Sequence, residues 1–130
     1  MRGSVQDLPV TMEIDLVKVQ LVECGNILAE FDTFKEDVNL APLLRGLPDD
    51  RCQCPHWGYV LKGRMIVSYT DREEEVKAGD IYYMAPGHPP FFEAGTNLVM
   101  FSPKGPELDN VMEVLNKNVA AMESQKVAQS

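Results

Sequence analysis

The fold is decided by residues 50–93, which read DRCQCPHWGYVLKGRMIVSYTDREEEVKAGDIYYMAPGHPPFFE. Short apolar segments alternate there with turns that contain glycine, proline and charged residues. Residues 59–61 and 65–69 flank Lys62-Gly63-Arg64, and this pattern predicts a β-hairpin. Another strand, 81–84, follows a turn at Gly79. Many short strands at regular spacing favour a closed all-β architecture over a parallel sheet with crossover helices.

The flanking sequence extends this prediction in both directions. Apolar residues alternate along 11–23 with a change of register near Val17, and residues 27–34 form a second strand-like segment. After Pro103, Leu108 and Val111 begin a series of apolar residues at helical spacing. We therefore predict an N-terminal arm at 1–10, a β-barrel at 11–104, a C-terminal helix at 105–124 and a frayed tail at 125–130.

Composition excludes several classes of function. The chain has 130 residues, the length of one domain, and a formal net charge of −8. This acidity argues against a nucleic-acid partner, because such affinity depends largely on Lys and Arg. No apolar run is long enough for a membrane helix and no leader pattern is present, so we expect a cytoplasmic protein without membrane association. Three cysteines cannot form a complete set of disulfides.

Residues 50–93 resemble the cupin family, whose first motif is G(X)5HXH(X)3-4E(X)6G and whose second is G(X)5PXG(X)2H(X)3N. Residues 59–63 are similar to the end of the first motif, and residues 78–80 with 85–87 are similar to the second. The resemblance implies a single-domain jelly-roll β-barrel that binds a small molecule. It also implies a homodimer, which is common among small cupins.

The metal-ligand positions of the family are substituted in this chain. Counted back from Gly63, the glutamate position falls on His56, and the histidine pair falls on Asp50 and Cys52. Counted forward from Gly79, the second-motif histidine falls on Pro90. The family's own metal site is therefore not available.

A different metal site is predicted at the same place. Residues two apart on a strand share a face, so Cys52, Cys54 and His56 are expected to project together, with Asp50 as the weakest candidate. His88 lies two residues before the substituted histidine position. Imidazoles and thiolates suit zinc, iron or copper as a divalent transition metal. The alternative is that the cysteines are ordinary buried apolar residues.

A pocket beside this metal is predicted from inward-facing positions. Gly58 shares the parity of His56, and its missing side chain would leave room for a ligand. Further strand residues that could line an apolar pocket, or be plain core, are Tyr82, Met84, Phe92 and Met100. Trp57 and Tyr59 have the opposite parity, and they could form a dimer surface or contact the terminal helix.

Three functional hypotheses remain open at this point. The first is a metal-dependent cupin enzyme of the oxygenase, isomerase or lyase type, acting on a small molecule. The second is a small-molecule-binding cupin without a catalytic metal. The third is a structural zinc site closed by Cys52, Cys54, His56 and His88.

Overall fold

The computed structural model describes residues 1–128 and contains ten strands, two short 3-10 helices and one α-helix. The strands are β1 Met12–Glu13, β2 Val17–Cys24, β3 Ile27–Phe34, β4 Val38–Asn39, β5 His56–Lys62, β6 Arg64–Ser68, β7 Glu73–Lys77, β8 Ile81–Met84, β9 Pro90–Phe92 and β10 Asn97–Pro103. The 3-10 helices are Ala41–Leu44 and Pro48–Asp50, and helix α1 is Pro106–Ala128. Within residues 1–128, no helix is long and apolar enough to cross a membrane.

The strands form two antiparallel sheets that face each other. One sheet has the order β1-β2-β3-β10-β5-β8, and the other has the order β4-β9-β6-β7. Inward-facing apolar side chains of both sheets make the main core, where the rings of Phe34 and Phe92 stack with their centroids 3.9 Å apart. The all-β prediction with a C-terminal helix is confirmed. The sheets remain two separate layers, however, and do not close into one hydrogen-bonded barrel.

The predicted hairpin around Gly63 is wrong. Strands β5 and β6 follow each other directly, but they belong to different sheets. Gly63 has a φ of +81°, and Thr96 lies where a β-carbon at this position would project. The Thr96 hydroxyl donates to Arg64 O and accepts from Arg64 N, both at 3.0 Å. At Gly63 the chain therefore passes from the larger sheet into the smaller one.

Helix α1 continues to Ala128, beyond the predicted end at residue 124. Lys126 pairs with the carboxylate of Asp15 near the start of β2, which gives the last turns a contact that helical spacing does not reveal. Of the predicted frayed tail, residues 125–128 are helical, and residues 129–130 lie outside the described residues. Near its start the helix packs through Leu108 and Val111 on a second apolar cluster.

The predicted N-terminal arm folds back onto its own sheet. The side chain of Gln20 on β2 is buried, with 2% exposure. Its amide nitrogen donates to Val5 O and Leu8 O, both at 2.9 Å. A buried amide needs such partners, so this segment is fixed against the sheet.

Candidate metal and ligand site

An apolar cavity of about 150 Å³ lies between the strands and α1. Both sheets contribute to its lining, and so does the helix through Leu108, Val111, Met112, Leu115, Asn116 and Val119. Among the sequence-predicted lining residues, Met84, Phe92 and Met100 border this cavity. Its volume fits one ring-sized apolar group.

Three potential metal ligands meet in the wall of this cavity. Cys52, His56 and His88 are all buried, and one ligand atom from each lies within 4.8 Å of the others. The Cys52 Sγ to His56 Nε2 distance is 3.3 Å. A tetrahedral ion with sulfur at about 2.3 Å and nitrogen at about 2.0–2.1 Å would separate those two atoms by about 3.5 Å. The spacing therefore fits a shared ion.

Both imidazoles are oriented by a partner on Nδ1. His88 Nδ1 donates to Ala85 O, so the other ring nitrogen, Nε2, carries its lone pair. His56 Nδ1 lies 2.7 Å from Ser102 Oγ on β10, and with Nδ1 as the donor its Nε2 is likewise free to bind. Metal-binding histidines usually have such a partner on the second ring nitrogen.

Three backbone segments bring these residues together. His56 is the first residue of β5 and faces Met84 at the end of β8. Cys52 precedes that strand, where its backbone N donates to His88 O at 3.0 Å and its O accepts from Gly87 N at 2.7 Å. This isolated bridge joins the segment before β5 to the loop before β9, so the ligand set is held by backbone hydrogen bonds.

Burial sets the protonation of these side chains. It lowers the pKa of His56 to about 3, with a smaller contribution from His88, and it also lowers the pKa of His88 itself. Burial raises the pKa of the Cys52 thiol to about 12. The imidazoles are thus neutral and able to bind an ion, whereas Cys52 must release a proton to ligate one.

Two of the predicted neighbours lie elsewhere. Cys54 is buried, its thiol donates to Pro55 O at 3.5 Å, and it is not a member of the group formed by Cys52, His56 and His88. Asp50 has a left-handed φ of +53°, and its carboxylate accepts from Gly46 N. The expectation of one extended strand over residues 50–56 is wrong, because 3-10 geometry at Pro48–Asp50 and Pro55 delay the strand until His56.

Gly58 and Tyr82 do not border the cavity. The space beside Gly58 is occupied, since a β-carbon there would collide with Val99 O and the Tyr82 ring. The Tyr82 hydroxyl donates to Val99 O at 2.9 Å. The missing side chain of Gly58 therefore makes room for Tyr82, where the sequence had indicated room for a ligand.

Sequence reasoning missed three polar residues of this site. Ser102 on β10 positions His56, and Glu30 and Asp32 on β3 border the cavity. The pattern of residues 27–34 predicts a strand but assigns no function to its polar residues. Glu30 and Asp32 share the inward parity of Phe34, so two carboxyl groups at core positions of a strand were the available signal.

A family model for the AraC-like ligand-binding domain matches residues 55–119, half of the chain. The chain belongs to the AraC-like ligand-binding domain family. In this ligand-binding domain the matched segment includes His56, His88 and the part of α1 that borders the cavity. No curated protein matches the chain in sequence.

Solved cupin structures share the fold of this ligand-binding domain. An RmlC-like cupin from Shewanella frigidimarina NCIMB 400 aligns with a TM-score of 0.57 and 16% identity, over 82% of this chain and 93% of that one. The polyketide cyclase RemF from Streptomyces resistomycificus aligns at 0.55 and 14%, over 79% and 78%. KdgF from a Halomonas species aligns at 0.53 and 13%, over 82% and 99%. At these identities the similarity establishes a cupin fold alone.

Proposed function

We propose that this cupin domain binds a small molecule in the cavity under α1, beside a divalent transition metal held by Cys52, His56 and His88. The observation that carries the proposal is the convergence of three buried ligand atoms in the wall of an apolar cavity. Ligand sites are commonly apolar cavities with a few converging polar groups. Membership of a ligand-binding domain family supports the same conclusion.

One thiolate and two imidazoles suit zinc, iron or copper better than magnesium or calcium. Three protein ligands leave room for a further ligand, and the metal would there supply a Lewis acid that anchors or polarises a bound group. Ser102 and the Ala85 carbonyl would keep the imidazoles oriented. Among the described residues the ligand group includes Cys52 but not Cys54, which favours this three-ligand site over a structural zinc closed by four residues.

Elemental analysis of purified protein tests the metal site. We expect one equivalent of a transition metal in the wild type after growth in supplemented medium. His56→Ala and His88→Ala should each remove most of it, because two remaining ligands bind weakly. Cys24→Ser is the matched control, since Cys24 is a free cysteine far from the cluster in sequence and outside it in the fold. Unchanged metal content in both histidine variants would exclude the site.

The same preparations separate an open site from a closed one. After cobalt substitution, azide should change the visible spectrum if a coordination position is free for an outside ligand. A spectrum that azide leaves unaltered would favour a structural ion. Metal-free protein that still binds small molecules in the cavity would favour the alternative of a binding module without a metal.

We also propose that the domain forms a homodimer through the outer face of its larger sheet. The side chains at this face are large, apolar and exposed, and they are Trp57, Tyr59, Leu61, Ile81, Tyr83 and Phe101. The rings of Trp57 and Tyr83 lie 5.2 Å apart within this apolar set. An uncharged contact suits two copies that each carry a net charge of −8.

Sedimentation velocity tests the dimer. Ile81→Lys, at a position that is 85% exposed, should shift the wild-type dimer to monomer without loss of folding. Glu73→Lys changes an exposed residue on the smaller sheet and should leave the dimer intact. A monomeric wild type, or an Ile81→Lys variant that remains a dimer, would contradict the proposal.

A further inference from the structure

Two carboxyl groups lie in the same cavity as the metal-ligand cluster. Glu30 and Asp32 occupy alternate positions of β3, and both side chains border the cavity. Asp32 is 6% exposed, whereas Glu30 is partly buried. Neither is a member of the Cys52–His56–His88 group. The surrounding wall consists mostly of apolar side chains, so two acids are costly there unless a polar partner is present.

The two carboxyl groups interact with each other. Desolvation raises the pKa of Asp32 well above its usual value, the charge of Glu30 raises it further, and desolvation also raises the pKa of Glu30. Two adjacent carboxylates cannot both ionise readily, so one proton is held between them. An interaction between the two side chains further favours the protonated form of Asp32.

One oxygen of Asp32 is an unused acceptor. Asp32 Oδ1 is buried and has no hydrogen-bond partner among residues 1–128. A buried acceptor without a donor costs on the order of 1–3 kcal/mol, and such groups are rare in folded proteins. In a cavity wall, this arrangement suits a ligand that brings its own O–H or N–H group.

We propose that the Glu30–Asp32 pair is the polar recognition site of the cavity, and that it accepts a hydrogen bond from a hydroxyl or amine group on a ring-sized apolar molecule. This inference rests on the proposed function only in that both place the ligand in the same cavity. The apolar residues around it select the body of the molecule, and the cavity volume limits that body to about six to eight heavy atoms. The carboxyl pair discriminates between molecules of equal size by their donor group.

Phenol and toluene provide the test, because they have the same number of heavy atoms and only phenol has a donor. Their dissociation constants are measured with the full chain by following backbone amide shifts in NMR titrations. We expect phenol to bind at least tenfold more tightly than toluene. The titrations are repeated after EDTA treatment, since a bound metal could itself hold phenol. A phenol preference that survives EDTA assigns the discrimination to the carboxyl pair.

Variants of Asp32 locate the effect. Asp32→Leu removes the acceptor and should reduce the preference for phenol to twofold or less. Asp32→Asn keeps a carbonyl oxygen and should retain most of the preference. Glu113→Gln removes an exposed carboxyl group on α1 and serves as the matched control. If Asp32→Leu does not fold, anisole, which has an oxygen but no donor, replaces it as the negative probe in the wild type and should bind no better than toluene.

Several outcomes would overturn the inference. They are equal affinity of phenol and toluene for the wild type, no binding of either probe, a preference that EDTA abolishes, and a preference that persists in Asp32→Leu. The metal proposal is judged separately by elemental analysis. Failure of the carboxyl-pair proposal can therefore be distinguished from failure of the metal proposal.

Discussion

At the scale of single residues, burial has two effects in the cavity. It keeps the two imidazoles neutral, and it leaves a carboxyl oxygen without a hydrogen-bond donor. His56 and His88 are neutral because desolvation disfavours their charged forms, and their Nδ1 atoms are already engaged. In contrast, Asp32 has a buried carboxyl oxygen that accepts no hydrogen bond from the described residues. Buried polar groups of this kind reduce stability and are commonly found where a protein binds or reacts.

Replacement of Ser102 should weaken metal binding. Ser102 Oγ is the partner of His56 Nδ1, so Ser102→Ala leaves the imidazole free to rotate and lowers its basicity. We expect metal affinity to fall by about tenfold, as is usual for the hydrogen-bond partners of metal ligands. Competition with a chromophoric chelator measures this change. Ser124→Ala on the exposed face of α1 should bind as the wild type does, and equal affinity in both variants would contradict the prediction.

The raised pKa of Asp32 predicts how stability depends on pH. Above about pH 4 the unfolded chain releases a proton that the folded chain retains, so the Asp32 contribution to stability decreases as pH rises toward the folded pKa. Within that window the slope is at most about 1.4 kcal/mol per pH unit. The titratable groups that interact with Asp32 are Glu30 on its own strand and Tyr82 on β8.

Urea unfolding at a series of pH values measures this slope. Asp32→Asn should flatten the decrease that begins above about pH 4 in the wild type. Glu73→Gln, at an exposed position on β7, should leave the curve unchanged. A parallel pH profile for wild type and Asp32→Asn would contradict the assignment.

The sequence predicted part of this site. His56, His88 and Cys52 were identified because they fall on or beside the substituted ligand positions of the cupin motifs, and the structure brings those three together. Cys54 and Asp50 became ligand candidates because the strand was predicted to begin at residue 50, six residues before β5 begins in the structure. Strand parity carries information only where the chain is extended, and the turns at Asp49 and Asp50 have positive φ.

At the scale of elements, the packing of β5 against β8 and β10 explains why Gly58 is a glycine. Gly58 lies between Met100 of β10 and Tyr82 of β8 in the register of the sheet. Its lack of a side chain allows the Tyr82 ring to cross over β5 and reach Val99 O. The glycine was predicted to leave space for a ligand, and spacing alone could not reveal a neighbour contributed by another strand.

Gly58→Ala should therefore destabilise the protein. The added methyl group collides with backbone oxygen as well as with Tyr82, and the backbone cannot move without breaking the pairing with β10. We expect the free energy of unfolding to decrease by about 1–3 kcal/mol, as in other overpacked cores. Urea denaturation measures it, and Lys62→Ala, an exposed change on the same strand, should cost less than about 0.5 kcal/mol. Equal free energies of unfolding for the two variants would contradict the prediction and show that the backbone around Gly58 shifts to accept the methyl group.

Across the whole molecule, two apolar clusters support the fold. The larger one lies between the sheets, and the smaller one joins α1 to Leu44, Leu47, Cys52 and Cys54. Alternation along the strands and helical spacing after Pro103 predicted the all-β class and the C-terminal helix, although as a closed barrel and not as two layers. The assignment of strands to sheets was not predictable in the same way, because a glycine turn such as Gly63 can close a hairpin or direct the chain into the opposite layer.

Leu44→Ala tests the smaller cluster. Leu44 is fully buried beneath α1, and its truncation leaves a void beside the cavity. We expect a loss of about 2–5 kcal/mol in the free energy of unfolding. Val10→Ala, at a position that is 47% exposed, should have a small effect on the free energy of unfolding. Comparable losses in the two variants would indicate that helix packing contributes little.

Six residues of α1 line the cavity, so the helix forms one of its walls as well as closing the chain. A molecule that fills the cavity gives this wall new van der Waals contacts and reduces the local openings that expose its amides to solvent. Occupancy is therefore coupled to the rate at which the α1 amides exchange hydrogen for deuterium.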